Sequence, residues 1–189
     1  MTHTITPRPV AWILTRNENA TYNLAPFSYF QSIGSQPPTV MVSIGFKHDG
    51  TKKDTQINIE RERDYVIHIP STSLAPQVNL SAKPLAYNES ETELCNLETT
   101  TVDGWPLPRI TQAPVAFHCQ LSEVNVIAGM NVIFGELKEV WISDEVLMPA
   151  PMSDDFPDLP DPVKLDPLAR LGYMSYARLS HPFELERPS

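Results

Sequence analysis

Residues 23–30 read Asn-Leu-Ala-Pro-Phe-Ser-Tyr-Phe, and residues 53–55 further along the chain read Lys-Asp-Thr. The first stretch carries aromatic rings, hydroxyl groups and an Ala25-Pro26 step that fixes a bend in the backbone. Such a bend suits contact with a flat ring. The second stretch places a cation beside a hydroxyl at the start of a predicted helix, where unpaired backbone N–H groups favour an anion. Together they predict a ligand that joins a planar ring to a phosphate.

Each stretch also has an ordinary structural interpretation. Residues 53–55 can be the start of a surface helix, with Asp54 as its cap and the lysines in water, because such caps are common. Residues 23–30 can be a turn at the edge of the core in which the aromatic rings only fill space. Taken alone, residues 53–55 favour the surface-helix interpretation, and residues 23–30 favour neither interpretation over the other.

The sequence around these stretches predicts many strands. Residues 10–15 form an apolar run typical of a buried strand, and the polar residues 16–21 predict a hairpin turn after it. The return strand is expected to stop near Ala25, because Pro26 cannot donate to a strand ladder. Residues 27–31 then predict a short bend or a single helical turn. Further strands are predicted over residues 39–44, 65–69 (half-buried), 115–121 and 132–142, the last with a bulge or close backbone approach at Gly135.

Helices are few and short in this pattern. We expect one over residues 54–61, capped by Asp54 or Thr55, a second over 73–80, and one turn over 166–171 that leads into Gly172. Strands follow one another without regular helical crossovers, which predicts a mainly β, antiparallel, closed or nearly closed barrel with a few peripheral helices. The Pro- and Asp-rich residues 149–167 predict a surface loop, with a lid or dimer arm as the sharper hypothesis.

Composition narrows the class of protein. A chain of 189 residues fits a single domain over residues 1–189. A net charge of −9 argues against a nucleic-acid partner, whose phosphates attract basic surfaces. The longest apolar run near the N-terminus is too short for a signal peptide or a membrane span, so no membrane partner is expected. The two cysteines, Cys95 and Cys119, are expected to be reduced thiols in a cytoplasmic protein, with a disulfide between them as the alternative.

Several common motifs do not occur in the sequence. No Gly-x-Gly-x-x-Gly and no Gly-rich loop ending in Gly-Lys-Ser/Thr is found, so a nucleotide would be held by other means. Cys-x-x-Cys, His-Glu-x-x-His and Gly-x-Ser-x-Gly are also missing. We therefore predict no metal ligands, and the hydrolase and metalloenzyme classes lose support.

The order of short motifs resembles one known family, the flavin reductase-like family, and the likeness spans nearly the whole chain. The motifs lie at residues 7–13, 23–30, 37–38, 53–55, 58–59, 103–104, 108–110, 113–115, 135–136, 169–172 and 176. Two positions depart from the family pattern, which usually has glycine where Ala20 stands and a second glycine where Tyr173 stands. The Tyr173 side chain is therefore expected to cover the ring or to narrow the nicotinamide pocket.

The resemblance implies the FMN-binding split barrel as the fold and a homodimeric flavoprotein as the assembly. It implies an NADH- or NADPH-dependent flavin reductase that passes electrons to flavin or to a downstream acceptor, such as a monooxygenase partner. The cofactor carries the redox chemistry, so no catalytic side chain is expected. Two alternatives stay open: a non-enzymatic, flavoredoxin-like FMN electron carrier, and a related barrel that takes haem, another planar ligand or none.

The same resemblance implies which residues contact FMN. One wall of the site comes from the stretch at 23–30 and the end of the next strand. The phosphate contacts come from residues 53–55, with long-range attraction added by Lys52. The Gly172 turn and Tyr176 lie near the flavin, from this chain or from a partner subunit. The implied cofactor-binding residues are Asn23, Leu24, Ala25, Pro26, Phe27, Ser28, Ser43, Ile44, Gly45, Phe46, Lys52, Lys53, Asp54, Thr55, Gly172 and Tyr176.

Overall fold

The apolar run at residues 10–15 lies in strand β2 (Ala11–Arg16), which is buried on both faces. In the computed structural model, which describes residues 1–149, 158–180, 182–183, 185–186 and 188, Ile13 faces one apolar cluster. Trp12 and Leu14 face a second cluster on the other side of the strand. Because successive strand residues point to opposite faces, a strand buried on both faces needs apolar residues at every position. This burial explains why the run shows no alternation.

The described residues form fourteen strands and four α-helices, with two short 3₁₀ turns at Thr72–Leu74 and Asp144–Val146. The strands before the long central hairpin are β1 (Arg8–Pro9), β2, β3 (Tyr22–Phe27), β4 (Phe30–Ser35), β5 (Pro38–Gly45), β6 (Asp64–Ile69), β7 (Thr99–Thr100) and β8 (Arg109–Ile110). The later strands are β9 (Val115–Ile127), β10 (Met130–Ile142), β11 (Leu147–Pro149), β12 (Asp158–Pro160), β13 (Ala169–Gly172) and β14 (Ser175–Ala177). The helices are α1 (Asp54–Glu62), α2 (Ala75–Leu80), α3 (Glu91–Leu94) and α4 (Pro162–Leu165).

Seven of these strands form one antiparallel sheet in the order β3-β2-β6-β9-β10-β5-β4. The cluster inside its curve takes Phe27 from β3, Ile67 from β6 and Val42 from β5, so residues from both ends of the sheet meet in one core. The end strands β3 and β4 do not pair with each other. The sheet therefore curls into a barrel that stays open along one side, which confirms the predicted mainly β, antiparallel split barrel with peripheral helices.

The outer face of the sheet is covered by the peripheral elements. Val78 of α2, Ile110 of β8 and Leu168 pack against Trp12 and Val66 in the second apolar cluster. A small sheet in the order β1-β13-β14 lies beside the barrel and brings residues 169–177 against the start of the chain. Strand β6 is consequently buried on both faces, and the prediction of a half-buried strand at residues 65–69 is wrong because α2 and β8 cover its second face.

Three other local predictions are corrected by tertiary pairing. Strand β3 continues through Pro26 to Phe27 because it is an edge strand with a single neighbour, so the missing N–H leaves no ladder bond unmade. The predicted bend at residues 27–31 is cut short, because β4 begins at Phe30 and pairs with β5. The predicted helical turn at 166–171 is instead β13, which is held between β1 and β14, and the nearby helix is α4.

The helix predicted over residues 54–61 is present as α1, but its N-cap is Lys53. Neither expected cap residue is available. The Asp54 carboxylate pairs with the Lys47 ammonium at 2.6 Å, and the Thr55 hydroxyl accepts a hydrogen bond from Asn23 Nδ2 at 2.9 Å. The helix predicted over 73–80 is confirmed as a 3₁₀ turn that continues into α2.

The segment predicted as a loop over residues 149–167 is only partly so. Strand β12 pairs with β11, and α4 follows it directly. The remainder of the predicted loop, residues 150–157, lies outside the described residues. Among the helices that the structure describes, none has both the length and the apolar character needed to cross a bilayer.

Gly135 has the close backbone approach predicted for it. The register between β10 and β9 shifts at Phe134/Gly135, and a Cβ atom at Gly135 would lie 1.8 Å from Tyr65 Oη. The Tyr65 side chain is fully buried and occupies the space that a side chain at position 135 would need. Both parts of the prediction, a bulge and a close approach, are therefore confirmed.

Candidate functional site

A continuous groove runs beside the edge strand β3. It consists of three adjoining cavities of about 510, 230 and 290 Å³. Pro26 and Phe27 line all three cavities, and Ser28 lines the second and third. From Asn23 to Ser28 the strand covers about 17 Å at about 3.3 Å per residue. The groove is therefore long enough for a phosphate and a tricyclic ring joined by a short chain.

One end of the groove is built for an anion. Lys53 lines the largest cavity, its Nζ lies 5.6 Å from the Phe27 ring centroid, and it makes no ion pair with any residue that the structure describes. The first turn of α1 begins beside it without a side-chain cap. The backbone N–H groups of Asp54 and Thr55 are therefore free to donate to a ligand.

Asn23 supports this end of the groove through hydrogen bonds to two threonines. Its Nδ2 donates to Thr55 Oγ1 at 2.9 Å and to Thr15 Oγ1 at 3.2 Å, which uses both hydrogens of the amide. Asn23 and Thr55 are almost completely buried, yet both line the cavity. Because Thr55 Oγ1 accepts from Asn23, its single hydrogen remains for an acceptor in the groove.

A buried polar chain continues from this pair to the hairpin turn. Asn58 Nδ2 donates to Thr15 Oγ1 at 3.1 Å and to Asn17 Oδ1 at 2.9 Å. Asn17 in turn donates to Thr21 Oγ1 at 3.0 Å. Residues from β2, the turn and α1 are thus linked by side-chain hydrogen bonds, which fix the start of α1 relative to β3.

The other end of the groove lies between the tip of β3 and the turn after β13. Ser28, Ser43 and Tyr173 line it. Gly172 has φ of +128°, and a Cβ atom there would lie 2.7 Å from the Thr2 carbonyl oxygen, so only glycine fits. Tyr173 is in the left-handed region at φ +49° and its side chain is 74% exposed at the rim. The Tyr173 side chain therefore stands in solvent at the rim of this end of the groove.

The structure brings most of the expected cofactor residues to the groove, and it brings Gly172 and Tyr176 there from the same chain as Pro26. The residues that line the groove are Asn23, Ala25, Pro26, Phe27, Ser28, Ser43, Phe46, Lys53, Asp54, Thr55, Gly172 and Tyr176.

Four expected residues lie elsewhere. Lys52 pairs with Glu60 at 2.6 Å on the exposed side of α1. Leu24 packs in the apolar cluster that contains Trp12, and Ile44 packs in the cluster that contains Ile13. Alternate residues of a strand face opposite ways, so the side chains of Leu24 and Ile44 point away from the groove. Gly45 lies opposite Met130 in the sheet. We expect any contribution from Leu24, Ile44 and Gly45 to come through their backbone, and none from Lys52.

Sequence reasoning missed Glu91, which lines the largest cavity. Its Oε2 accepts a hydrogen bond from the Leu24 N–H at 2.9 Å, and the residue is only 6% exposed. Burial raises the pKa of the Glu91 carboxyl to about 7, and the Leu24 N–H offsets part of that rise. No motif marks this position, because the burial arises from β3 and the loop before α3.

Two arginines at the far end were also missed. Arg8 and Arg170 both line the 290 Å³ cavity. Arg8 stands between two prolines, which is the only local signal that its backbone is held rigid. Residues 81–85, between α2 and α3, also line the 510 Å³ cavity and carry no recognisable motif.

Comparison with known proteins gives a consistent result. A family model described as the flavin reductase like domain matches residues 1–155. An uncharacterised protein of Deinococcus radiodurans is 30% identical over 192 residues, which cover 99% of this chain and 82% of that protein.

Two solved structures are similar over nearly their whole length. Nitrilotriacetate monooxygenase component B from Bacillus cereus is 27% identical with a TM-score of 0.85, and the match covers 97% of this chain and 90% of that one. The 2-nitrobenzoate 2-nitroreductase NbaA of Pseudomonas fluorescens is 26% identical with a TM-score of 0.84, covering 99% and 88%.

Proposed function

The chain belongs to the flavin reductase-like family, and from this membership we propose that it binds FMN in the groove along β3 and passes electrons from NADH or NADPH to flavin or to a downstream acceptor. Membership of this family supports a flavin-related oxidoreductase. The observation that carries the FMN proposal is Lys53, which makes no ion pair with a described residue and lies at the uncapped start of α1. This arrangement suits a phosphate at one end of a groove that is long enough for FMN.

The residues present fit FMN at both ends of the groove. We propose that the Lys53 ammonium, the Thr55 hydroxyl and the free N–H groups of α1 hold the phosphate. The chain between phosphate and ring would lie along Ala25 and Pro26, and the ring would lie against Phe27 and Ser28. A bound flavin supplies a ring that accepts two electrons as a hydride. The protein holds that ring at the open end of the groove.

The enzymatic part of the proposal is supported by the kind of proteins that share the fold. One similar structure is a component of a monooxygenase and another is a nitroreductase, and both exceed 25% identity. The first also supports a separate monooxygenase as the electron acceptor. The chain lacks the glycine fingerprint of a dinucleotide-binding fold, so we propose that the nicotinamide binds directly over the exposed ring.

A carrier without nicotinamide-dependent activity is the second candidate, and Tyr173 is the observation that favours it. Its exposed side chain stands at the rim where a nicotinamide would have to enter. If Tyr173 covers the ring, electrons would come from a protein partner instead.

The phosphate site is tested with two neighbouring lysines. Lys53→Ala is expected to weaken FMN binding about 10- to 100-fold, or about 1.5–3 kcal/mol, because a charge-assisted contact is lost. Riboflavin, which lacks the phosphate, is expected to bind both forms equally. Lys52→Ala is the matched control, since Lys52 pairs with Glu60 away from the groove. Equal FMN affinity in wild type and Lys53→Ala, measured by flavin fluorescence titration, would contradict the proposal.

Anaerobic titration of the FMN-loaded protein with NADH and NADPH separates the two candidates. Bleaching of the flavin absorbance near its visible maximum at catalytic rates identifies the reductase. A yellow protein that neither nucleotide reduces identifies the carrier, and Tyr173→Gly would then be expected to restore reduction.

We further propose that residues 1–189 form a single domain and that two chains associate. The two apolar clusters share one sheet, which supports a single domain. Strand β4 is the last strand of the large sheet, and its outer edge pairs with no strand that the structure describes. Its Ile33 side chain is 51% exposed. Both observations support a homodimer that forms through this side of the barrel. Light scattering of the purified protein gives its mass in solution; a monomer at all concentrations would refute the dimer.

A further inference from the structure

Two arginines stand directly opposite each other in the small sheet. Arg8 of β1 is paired in register with Arg170 of β13, and Arg170 is paired with Tyr176 of β14. Residues directly opposite in an antiparallel pair place their side chains on the same face, with Cβ atoms about 5 Å apart. Like charges in such a pair repel each other. A sheet that places two arginines directly opposite each other therefore needs a group that balances their charges.

No acidic residue in the described part of the chain supplies that balance. Neither Arg8 nor Arg170 makes an ion pair with an Asp or Glu there. Both are held in place by neutral groups instead. Arg170 lies 4.4 Å over the Tyr176 ring and donates from Nη2 to the Tyr173 carbonyl oxygen.

Arg8 is only 8% exposed, which makes its unpaired charge more costly. Its Nη1 donates to the carbonyl oxygens of Thr2 and Ile5 at 2.7 and 2.9 Å, and its Nε donates to Ser28 Oγ at 3.3 Å. A guanidinium has five N–H donors, so both hydrogens on Nη2 remain. Arg170 uses one of its five. Several N–H donors of the two guanidinium groups are therefore available to a ligand.

We propose that Arg8 and Arg170 form an anion subsite at the ring end of the groove, which binds a carboxylate or phosphate group of the second substrate. The cavity that both arginines line also contains Ser28, Ser43 and Gly172, so an anion there would lie beside the place proposed for the flavin ring. Two guanidinium forks match the planar or tetrahedral oxygens of such groups. The inference rests on the proposed function and adds the chemical class of the electron donor or acceptor.

The subsite is distinct from the phosphate site at Lys53. Of the three cavities that form the groove, Lys53 and Thr55 line only the one of 510 Å³, whereas Arg8 and Gly172 line only the one of 290 Å³ at the opposite end. One FMN has one phosphate, which the Lys53 end would hold. The arginines therefore remain for a different molecule, either the pyrophosphate of a nicotinamide nucleotide or the carboxylate of a small aromatic acceptor.

Arg170→Gln is the variant that tests the subsite, because Arg8 also ties the N-terminal residues and its loss would disturb the fold. Arg178→Gln is the matched control, since Arg178 is exposed, pairs with Asp166 and does not line the groove. Arg170→Lys is a second variant, which keeps the positive charge but loses the planar guanidinium that can donate two parallel hydrogen bonds. Thermal unfolding of all three shows whether the fold is retained.

Two matched pairs of probes identify the source of the anion. NADH is compared with 1-benzyl-1,4-dihydronicotinamide, a hydride donor without phosphate, in the reduction of the FMN-loaded protein. Benzoate is compared with benzamide for binding, by calorimetry and by perturbation of the flavin spectrum. In Arg170→Gln we expect about a 10- to 100-fold loss for the charged member of at least one pair and less than a twofold change for its neutral partner. Arg170→Lys should show a smaller loss.

Each outcome has a definite meaning. A loss for NADH alone points to the pyrophosphate, and a loss for benzoate alone points to a carboxylate acceptor. Equal effects on the charged and neutral members of both pairs overturn the subsite, as does loss of the preference for FMN over riboflavin in Arg170→Gln, which would place the cofactor phosphate at the arginines. If wild type binds no FMN, the proposed function fails, but benzoate calorimetry on the unliganded protein still tests the arginines.

Discussion

At the residue scale, one residue adopts an unfavourable backbone conformation that its hydrogen bond to a neighbour holds in place. Ala20 sits in the turn between β2 and β3 with φ of +66°, a conformation that costs a residue with a Cβ roughly 1–2 kcal/mol. The Ala20 N–H donates to the Asn17 carbonyl oxygen at 3.1 Å and so stabilises the turn. The same turn positions the Asn17 side chain, which accepts the buried hydrogen bond from Asn58. The turn geometry typical of glycine is thus kept although the glycine is absent.

We therefore expect Ala20→Gly to stabilise the protein. Glycine removes the steric cost of the left-handed conformation but loses more chain entropy on folding, so the net gain should be about 0.5–1 kcal/mol. Urea unfolding at constant pH measures it. The control is Ala75→Gly, at φ −53° at the start of α2, which should destabilise by about the same amount. A loss of stability in Ala20→Gly would show that another contact holds this turn.

At the scale of elements, Tyr65 of β6 contacts Gly135 of β10, in addition to the ladder that pairs β6 with β9. The bulge at Gly135 lets the fully buried Tyr65 ring lie directly over the β10 backbone. The contact ties β6 and β10 across β9, which lies between them in the sheet. A bulge at this position bends β10 and increases its local twist.

Gly135→Ala is expected to destabilise the protein by about 2–3 kcal/mol, because the added methyl group would overlap Tyr65 Oη and force the core to move. Gly34→Ala is the control in another strand, since its Cβ would meet nothing closer than 3.8 Å. Denaturant unfolding of both variants gives the comparison. Similar stabilities for the two would mean that Tyr65 can rotate away at little cost.

At the scale of the whole molecule, two buried groups give opposite dependences of stability on pH. Burial raises the pKa of Glu91 from 4.5 to about 7, so the free energy of unfolding falls as pH rises between these values. Burial lowers the pKa of His68 from 6.5 to about 4, despite its contact with the Trp12 carbonyl oxygen, so the free energy of unfolding falls as pH drops through that range. Between pH 4.5 and 6.5 the two effects oppose each other.

Glu91→Gln should expose the contribution of His68. We expect the free energy of unfolding of this variant to rise with pH from about 4 to 6.5 and then to stay level through pH 7, where the wild-type value falls. The advantage of the variant should therefore grow between pH 4.5 and 7. Thermal unfolding across this range measures it, with the exposed Glu93→Gln as control. Parallel curves for wild type and Glu91→Gln would show that the carboxyl titrates normally.

The sequence by itself determined the fold class and every strand of the seven-stranded sheet except β4, because burial on one or two faces leaves a direct record in the order of apolar residues. The run at residues 10–15 and the glycine inside residues 132–142 are two such records. It also indicated both ends of the groove, since Lys53 and the residues around Pro26 lie in contiguous stretches whose chemistry is local. The predictions of a strand end near Ala25, a helix cap at Asp54 or Thr55 and a helical turn at residues 166–171 were wrong, because partners distant in sequence decide these features.

Only the tertiary structure decided which side chains are free to bind. Lys52 and Lys53 are neighbours in sequence, yet one pairs with Glu60 and the other faces the groove. Glu91 lies 67 positions from its hydrogen-bond partner Leu24, and Arg8 stands opposite Arg170 from the other end of the chain. Charge, burial and donor availability depend on through-space neighbours, which sheet pairing brings together and which no local pattern of residues records.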